Sequence, residues 1–290
     1  MVNDCVNRIA KALFVGVIVL VGVGPMDGRA SALERMPDKV VVLTFDDSVK
    51  SHYTVARGVL KKYGFGATFF ITEGFTFATN KKDYMSWEEI AELNRDGFEI
   101  GNHTRDHMGV TAKTVEKLDE QLEAIEGRCK EFGIPAPVSF AWPGNAIELG
   151  GLKVLREHGM RWARRGGYPE YERGGERGFA YEPGADHPLL IPSAGIPRPG
   201  YTFEEFKETL KGARDGKAVV LQFHGVPEGE HPWVHVPQEE FERFMAYLHE
   251  GGFKVIAVRD LGKYVDWREE PSDAMAVVEK RKARMAAEKE

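Results

Sequence analysis

The chain has 290 residues and a net charge of −6, and 42% of its residues are hydrophobic while 29% are charged. These proportions are typical of a folded globular protein, and they exclude a disordered chain, a collagen-like chain and a polytopic membrane protein. The mildly acidic balance gives no reason to expect a nucleic-acid partner, because such proteins usually carry a basic patch.

The first 32 residues differ in composition from the rest of the chain. Two basic residues precede an uninterrupted apolar run over 12–24, and an Ala-x-Ala site follows at 30–32. The run is too short for a membrane-spanning helix, which needs about 20 residues. This order of features is typical of a secretory signal peptide. We therefore predict a signal peptide over 1–32 and an exported protein, with an uncleaved membrane anchor as the alternative.

Short β-branched runs alternate with longer amphipathic segments over residues 39–267. The runs predicted as strands are 40–44, 66–72, 98–102, 138–142, 161–163, 218–223 and 253–258. The segments predicted as helices are 51–63, 86–96, 111–132, 152–158, 203–214 and 236–250. Such alternation predicts a parallel sheet with helical crossovers. One α/β domain of this length fits a barrel better than two lobes.

Two regions lie outside this alternation. Residues 166–200 are rich in glycine and proline and are predicted to form a long irregular insertion, which in a compact domain is usually functional or flexible. The tail over 268–290 carries six basic and six acidic residues. We predict that this tail is a solvated appendage, helical in part, with a partner-binding helix as the less favoured interpretation.

Five polar residues with catalytic chemistry directly follow predicted strands. Asp46 and Asp47 follow the first strand, His103 and His107 the third, and His224 the strand that ends at Phe223. The carboxyl ends of parallel barrel strands meet at one rim, where active sites are built. We therefore expect these five side chains to lie together.

The spacing of His103 and His107 suits a shared metal, because one helical turn would put both imidazoles on one face. Two histidines and one carboxylate form a zinc-type site with an open position for water. The alternative is a polar cluster held by hydrogen bonds. Adjacent aspartates diverge, so one of the pair can bind a metal while the other accepts a proton from the attacking water. With His224 as a proton donor to the leaving group, the set predicts hydrolysis of an acyl derivative.

Three ordered motifs resemble those of the polysaccharide deacetylases, carbohydrate esterase family four, also called the NodB homology domain. They are Thr-Phe-Asp-Asp-Ser at 44–48, His-Thr-Arg-Asp-His at 103–107 and Leu-Gln-Phe-His at 221–224. The resemblance implies a NodB homology domain over 39–267 that folds as a distorted (β/α)7 barrel. It also implies a divalent metal, most often zinc, held by Asp47, His103 and His107. By the same resemblance Asp46 is the base and His224 is the acid.

The third motif departs from the family pattern, which often places an arginine beside the catalytic aspartate. Here Ala141 stands at that position, as in the biofilm-polysaccharide deacetylases. Either Arg164 or Arg165, expected just after the fifth strand, is a candidate replacement, and a surface pair or salt bridge is the alternative. Backbone N–H groups around Gly144 and Asn145 are candidates for an oxyanion hole. We find no match for the fourth-motif aspartate that orients the acid histidine.

Further candidates for lining the substrate pocket are Trp142, Arg165, Leu221 and Trp233. Each tryptophan is expected either to stack on a sugar ring or to pack within the protein. His231 and His235 repeat the four-residue spacing, but the intervening Pro232 argues against a second metal site. The remaining histidines, at positions 52, 158, 187 and 249, are predicted to be at the surface or structural.

The sequence therefore predicts an exported, metal-dependent hydrolase that removes N-acetyl groups from an N-acetylhexosamine polysaccharide, such as peptidoglycan, a chitin-like polymer or a biofilm glycan. One alternative is an acetylxylan esterase or a small-amide hydrolase of the same fold. The other is a degenerate member that binds glycan without activity. Intact Asp46 and His224 argue against that last alternative, because a binding protein needs neither a base nor an acid.

Overall fold

Parallel strands alternate with helices along the computed structural model, which describes residues 33–173, 175 and 177–288. The predicted signal peptide over 1–32 therefore lies outside the described residues. The strands are β1 (Val40–Phe45), β2 (Thr68–Ile71), β3 (Glu99–Asn102), β4 (Ser139–Ala141), β5 (Trp162–Gly166), β6 (Ile191–Pro192), β7 (Val219–Phe223) and β8 (Lys254–Ile256). The helices are α1 (Arg57–Tyr63), α2 (Trp87–Arg95), α3 (Leu118–Glu131), α4 (Gly150–Glu157), α5 (Phe203–Leu210), α6 (Gln238–Glu250) and α7 (Ala276–Ala287).

All the strands pair in parallel within one sheet. The continuous path runs β6-β5-β4-β3-β2-β1-β7, and β8 pairs with the first half of β1. The last half of that same edge of β1 pairs with β2, where Thr44 lies opposite Thr68. β1 thus pairs with three strands, β2, β7 and β8, and all six of its residues are buried.

The sheet closes on itself just after β6, in the predicted irregular insertion. The backbone N–H of Ala194 donates to the carbonyl of Val220 at 2.8 Å, and the N–H of Gln222 donates to Gly195 at 3.0 Å. These bonds join the end of β6 to β7 through a short bridge rather than a full strand. The predicted distorted (β/α)7 barrel is confirmed, with seven strands on the continuous path and β8 as a further short strand.

The side-chain alternation of β1 sorts the core into an inner and an outer part. Val40 and Val42 pack inside the barrel with residues of the other strands, including Trp162 of β5. The intervening residues of β1 pack outward under helices α1, α2 and α6. Thr44 and Asp46 continue the set of alternate residues whose side chains face the barrel interior. The carboxylate of Asp46 therefore lies at the carboxyl end of that interior.

Several predicted boundaries are wrong, each for a local reason. The helix predicted over 111–132 begins only at Leu118, because Thr114 is engaged in a turn in which its hydroxyl donates to Gly109 at 2.6 Å. The insertion over 166–200 contains β6, which is too short to show a pattern. The predicted capping box at Ser86 is present. None of the helices in the described part of the chain combines the length and the apolar character that crossing a membrane requires.

The prediction that the tail is a solvated appendage is wrong for α7. Val278 and Arg281 of this helix are buried. Arg281 donates to both carboxylate oxygens of Asp186, at 2.7 and 2.8 Å, and to Glu170 at 3.2 Å. The helix therefore belongs to the folded unit, which begins at Leu33. The sequence did not indicate this contact, because a segment with so many charged residues is usually exposed to solvent. Arg281 is buried because its charge is paired with Asp186 and Glu170.

Candidate active site

The five polar residues that follow the strands converge as predicted. They line one pocket of about 290 Å³ at the carboxyl ends of the strands. Asp46 and Asp47 extend from β1, His103 and His107 follow β3, and His224 follows β7. Since loops of β1, β3 and β7 meet at one rim of the barrel, residues far apart in sequence come together there.

Asp47, His103 and His107 form a cluster whose potential ligand atoms all lie within 4.8 Å of one another. Oδ1 of Asp47 is 3.4 Å from Nε2 of His103 and 3.3 Å from Nε2 of His107. Ligands bound at about 2.0–2.2 Å to a tetrahedral zinc ion lie roughly 3.3–3.5 Å apart. The spacing of these three atoms therefore fits a shared metal ion.

Two further observations support this fit. Oδ1 of Asp47 is buried and has no hydrogen-bond partner among the described residues. Nδ1 of His103 donates to the carbonyl of Ala141 at 2.8 Å, which leaves the lone pair of Nε2 facing the cluster. Two imidazoles and one carboxylate form one of the donor sets that hold zinc in catalytic sites. Asp47, His103 and His107 are thus able to hold a divalent metal.

Electrostatics favour the protonation states that a metal requires. Burial by itself would raise the pKa of Asp47, but the adjacent imidazole of His103 and the charges of His107 and His224 bring it far below its usual range. Burial lowers the pKa of His107 to about 4. The carboxylate is therefore ionised and the imidazole neutral at neutral pH, as metal ligands must be.

The two histidines do not lie on a helix, so that part of the prediction is wrong. Residues 103–107 form a turn, in which Thr104 and His107 have φ values of 59° and 52°. The N–H of His107 donates to the hydroxyl of Thr72 at 2.9 Å, and the N–H of Met108 donates to that of Thr104 at 2.7 Å. Threonine hydroxyls, rather than helical geometry, bring the two imidazoles together.

Backbone strain is concentrated around this pocket. Left-handed φ values are uncommon for residues other than glycine and recur at functional sites. Of the eight such residues in the described part of the chain, six lie at the pocket or in its loops: Asp47, Ser48, Phe75, Thr104, His107 and Asn145. The hydroxyl of Ser48, one of these six residues, donates to the carbonyl of Thr72 at 2.7 Å.

The carboxylate of Asp46 has one occupied and one free oxygen. Oδ2 accepts from Nη2 of Arg164 at 2.5 Å and from Nε2 of Gln222 at 3.1 Å. Oδ1 is buried without a hydrogen-bond partner among the described residues. Two donors thus hold the group in place, and one oxygen remains able to accept a proton.

Arg164 and Arg165 lie within β5, not after it as predicted, and they point to opposite sides. Burial lowers the pKa of Arg164, although the adjacent Asp46 opposes this shift. Arg165 instead donates to Glu170 at 2.6 and 2.7 Å and to the carbonyl of Leu190 at 2.8 Å. The prediction that Arg165 lines the substrate pocket is therefore wrong, and Arg164 takes the position beside the aspartate.

His224 faces both aspartates across the pocket. Its Nε2 lies 3.8 Å from Oδ2 of Asp46 and 3.8 Å from Oδ2 of Asp47. Its buried Nδ1 has no hydrogen-bond partner among the described residues, so none of them orients the ring as the family's fourth-motif aspartate would. Its backbone carbonyl accepts from Nε2 of His52 at 3.0 Å.

His52 lies near the site, but the sequence did not identify it as a site residue. It was predicted only to be a surface or structural histidine. It is completely buried in a π-helical turn over His52–Ala56. Burial lowers the pKa of His52 to about 4, so its imidazole is neutral. The spacing of five residues from Asp47 carries no metal or catalytic pattern, and only the fold brings His52 to His224.

The weaker candidates have mixed outcomes. Gly144 and Asn145 line the pocket, but the N–H of Asn145 already donates to the carbonyl of Trp142 at 3.0 Å. Trp142 reaches the pocket, but it is fully buried and its Nε1 donates to Leu189 at 2.9 Å, as expected for a packed tryptophan. Leu221 lies in the outer core. Trp233 is 65% exposed at the mouth of the pocket.

Comparison with known proteins agrees with the motifs. Residues 34–163 match the family model described as polysaccharide deacetylase. The chain is 29% identical over 126 residues to the peptidoglycan-N-acetylglucosamine deacetylase of Bacillus cereus. The aligned region covers 43% of this chain and 55% of that protein. It is 32% identical over 93 residues to the poly-beta-1,6-N-acetyl-D-glucosamine N-deacetylase of Staphylococcus aureus. This alignment covers 31% of this chain and 32% of that protein. The chain thus aligns with about half or less of these relatives.

Among solved structures, a putative polysaccharide deacetylase from Mycobacterium smegmatis has a TM-score of 0.58 at 17% identity, covering 83% of this chain and 96% of that one. At this identity the likeness shows the fold alone, and it agrees with the barrel. The family-model match over residues 34–163, together with the sequence identity to the two deacetylases, confirms the resemblance to the polysaccharide deacetylases. The region that matches the family model contains Asp46, Asp47, His103 and His107, whereas His224 lies beyond it.

Proposed function

We propose that this chain, a relative of the polysaccharide deacetylases, is a metal-dependent hydrolase that removes acetyl groups from the N-acetylhexosamine units of a glycan. The observation that carries the proposal is the geometry of one pocket. A cluster able to hold a metal, Asp47 with His103 and His107, lies beside an aspartate with one free oxygen and opposite His224. The relatives support a glycan substrate, since their names refer to acetylated amino sugars.

Asp46 and His224 would divide the proton transfers. When bound, a divalent metal would supply a Lewis acid for the acyl oxygen and for the attacking water. Oδ1 of Asp46 would accept the proton of that water, while Arg164 and Gln222 hold Oδ2. Nε2 of His224 would donate a proton to the departing nitrogen. The bond between the carbonyl carbon and nitrogen then breaks, leaving acetate and a free amine.

The direct test measures metal content and acetate release together. We expect the purified protein to bind about one zinc-type ion and to release acetate from N-acetylglucosamine oligomers or peptidoglycan, with little release from acetylated xylan. The His103→Ala variant should lose both the metal and the activity. The Asp46→Asn variant should keep the metal but lose activity by roughly 100-fold or more. Glycan binding without acetate release in the wild type would instead support the binding-protein alternative.

The role of His224 is tested with two leaving groups. An amine needs a proton to leave, whereas the phenol of an activated aryl acetate needs little help. The His224→Ala variant should therefore lose much more activity on an N-acetyl oligosaccharide than on an aryl acetate. Equal losses on the two substrates would show that His224 does not act as the leaving-group acid.

We further propose that the protein is exported. The proposal rests on the basic, apolar and Ala-x-Ala order of residues 1–32. Mass spectrometry of the protein from its natural host should find Leu33 as the first residue. Detection of Met1 in the membrane fraction would show an uncleaved anchor instead.

A further inference from the structure

A serine outside the pocket is hydrogen-bonded to the site through a glutamine. Ser193, which directly follows β6, donates from its hydroxyl to Oε1 of Gln222 at 3.1 Å. Nε2 of Gln222 donates in turn to Oδ2 of Asp46 at 3.1 Å. Ser193 is completely buried, and Gln222 is 4% exposed. These three side chains, which we call the Ser-Gln-Asp link, therefore connect the wall of the barrel to the proposed base.

The chemistry of the three groups fixes the direction of both hydrogen bonds. An ionised carboxylate only accepts hydrogen bonds, so the amide of Gln222 turns its nitrogen toward Asp46. The amide oxygen then faces Ser193, whose hydroxyl has to be the donor. Without that hydroxyl the amide oxygen would be buried and unpaired, which is unfavourable. The amide would then turn away from Asp46 to find another partner.

The backbone of Ser193 also connects the two strands that supply donors to the base. Its N–H donates to the carbonyl of Gly166, the last residue of β5, at 2.9 Å. Arg164 on that strand donates to Oδ2 of Asp46, and Gln222 on β7 donates to the same oxygen. The segment over 193–195 is also the place where the barrel closes onto β7. Closure of the barrel thus holds both donors in position.

Two donors orient a carboxylate better than one donor does. A carboxylate held at one point can still rotate about the bond that joins it to the rest of its side chain. The donors of Asp46 come from different strands and converge on Oδ2, which restrains this rotation and leaves Oδ1 free. A base has to lie within a narrow range of distances and angles from the proton that it accepts. Loss of one donor should therefore slow proton transfer.

We propose that Ser193 is a positioning residue for the base: it orients Gln222, which holds Asp46 in the productive orientation. The inference rests on the proposed function and extends the site to a residue outside the three sequence motifs. Ser193 does not line the pocket, so its replacement should slow the reaction without weakening substrate binding.

The kinetics of Ser193→Ala separate positioning from binding. We expect kcat for acetate release from a tetramer of N-acetylglucosamine to fall by about fivefold, the scale of one hydrogen bond, with KM and metal content unchanged. Ser139→Ala is the matched control, because Ser139 is also completely buried and its hydroxyl donates to Glu99 at 2.6 Å, at the amino ends of β3 and β4. This control should lose stability but keep the wild-type kcat. An unchanged kcat in Ser193→Ala, or equal losses in the two variants, would overturn the proposal.

A double-mutant cycle tests whether Ser193 acts through Gln222. Gln222→Met keeps the length of the side chain but removes both hydrogen bonds, so kcat should fall by roughly 20-fold, the scale of a hydrogen bond to a charged group. Adding Ser193→Ala to Gln222→Met should then cause no further fall, because the group between Ser193 and Asp46 is already absent. Losses that multiply in the double variant would show that Ser193 acts independently of Gln222 and would overturn the proposal.

A spectroscopic measurement separates this proposal from the proposed function. NMR of protein with isotope-labelled glutamine detects the side-chain amide of Gln222, whose signal is identified by its absence in Gln222→Met. Its protons should exchange with solvent about fivefold faster in Ser193→Ala than in the wild type, because the amide is less firmly held. If exchange accelerates but the wild type releases no acetate, the proposed function fails and the Ser-Gln-Asp link stands. If acetate is released and exchange is independent of Ser193, the link fails alone.

Discussion

Two neighbouring arginines show how one residue's position in a strand decides its chemistry. Arg164 and Arg165 are adjacent, fully buried and carry the same charge, and sequence reasoning could not choose between them. The alternation of β5 resolves this choice, because Trp162 packs inside the barrel and the residue two positions later must face the same way. The family pattern has an arginine at the position of Ala141, in β4. Arg164, in the neighbouring strand β5, supplies the guanidinium group beside Asp46 instead.

A matched pair of variants tests this assignment. In Arg164→Met, Asp46 loses its counter-charge and its closest donor, so we expect activity to fall by roughly 100-fold while metal content is unchanged. Arg164→Lys should recover part of the loss, because it restores a positive charge without the planar group. Arg165→Met is the control: it should lower stability but leave the activity of each folded molecule close to the wild type. An active Arg164→Met variant would remove Arg164 from the site.

At the scale of elements, strands and their carboxyl ends were more predictable than the loops that follow them. The β-branched runs and the motif residues predicted which five polar side chains would share one rim. The turn over 103–107, the π-helical turn and β6 escaped prediction because contacts distant in sequence decide them. Thr72, for example, accepts from the N–H of His107 across 35 positions of the chain. No local period in the sequence encodes such a contact.

The π-helical turn predicts a positioning role for His52. The donor Nε2 of His52 fixes the carbonyl of His224, and Oγ of Ser51 accepts from the N–H of Val226 at 2.8 Å. In His52→Leu the carbonyl of His224 would lose its buried partner, so we expect kcat to fall by roughly tenfold with little change in KM. His52→Gln, which keeps a donor at similar reach, should recover most of kcat.

His249→Leu is the control for this prediction, because His249 lies on α6 at the surface and contacts the ring of Tyr63, away from the site. It should not affect kcat. If His52→Gln is as slow as His52→Leu, the shape of the imidazole matters rather than its hydrogen bond.

At the scale of the whole molecule, a buried charge network ties the tail to the barrel on the far side of β5 from Asp46. Arg165 and Arg281 alternate with Glu170 and Asp186, so two positive and two negative groups neutralise one another out of water. The sequence of the tail did not predict this role. Arg281 is one of six basic residues there, and nothing in the local sequence distinguishes it as the one that is buried with these partners. The network joins α7 to β5, the same strand that carries Arg164.

Replacing one member should therefore destabilise the protein without changing the chemistry of the pocket. Arg281→Met leaves two buried carboxylates with a single arginine, and we expect the free energy of unfolding to fall by about 3–5 kcal/mol. Urea unfolding measures this fall as a lower midpoint. Arg284→Met on the same helix is the control; its side chain is 63% exposed, and it should change stability by less than about 0.5 kcal/mol.

A second substitution separates the buried charge from the loss of packing around it. Adding Asp186→Asn to Arg281→Met removes the uncompensated negative charge while keeping the side-chain volume, so part of the lost stability should return. Activity per folded molecule should remain close to the wild type in all three variants, because neither Arg281, Asp186 nor Arg284 lines the pocket. An Arg281→Met protein as stable as the wild type would show that the ion pairs of Arg281 add no net stability. A loss of activity in a folded variant would instead show that the network positions Arg164 through β5.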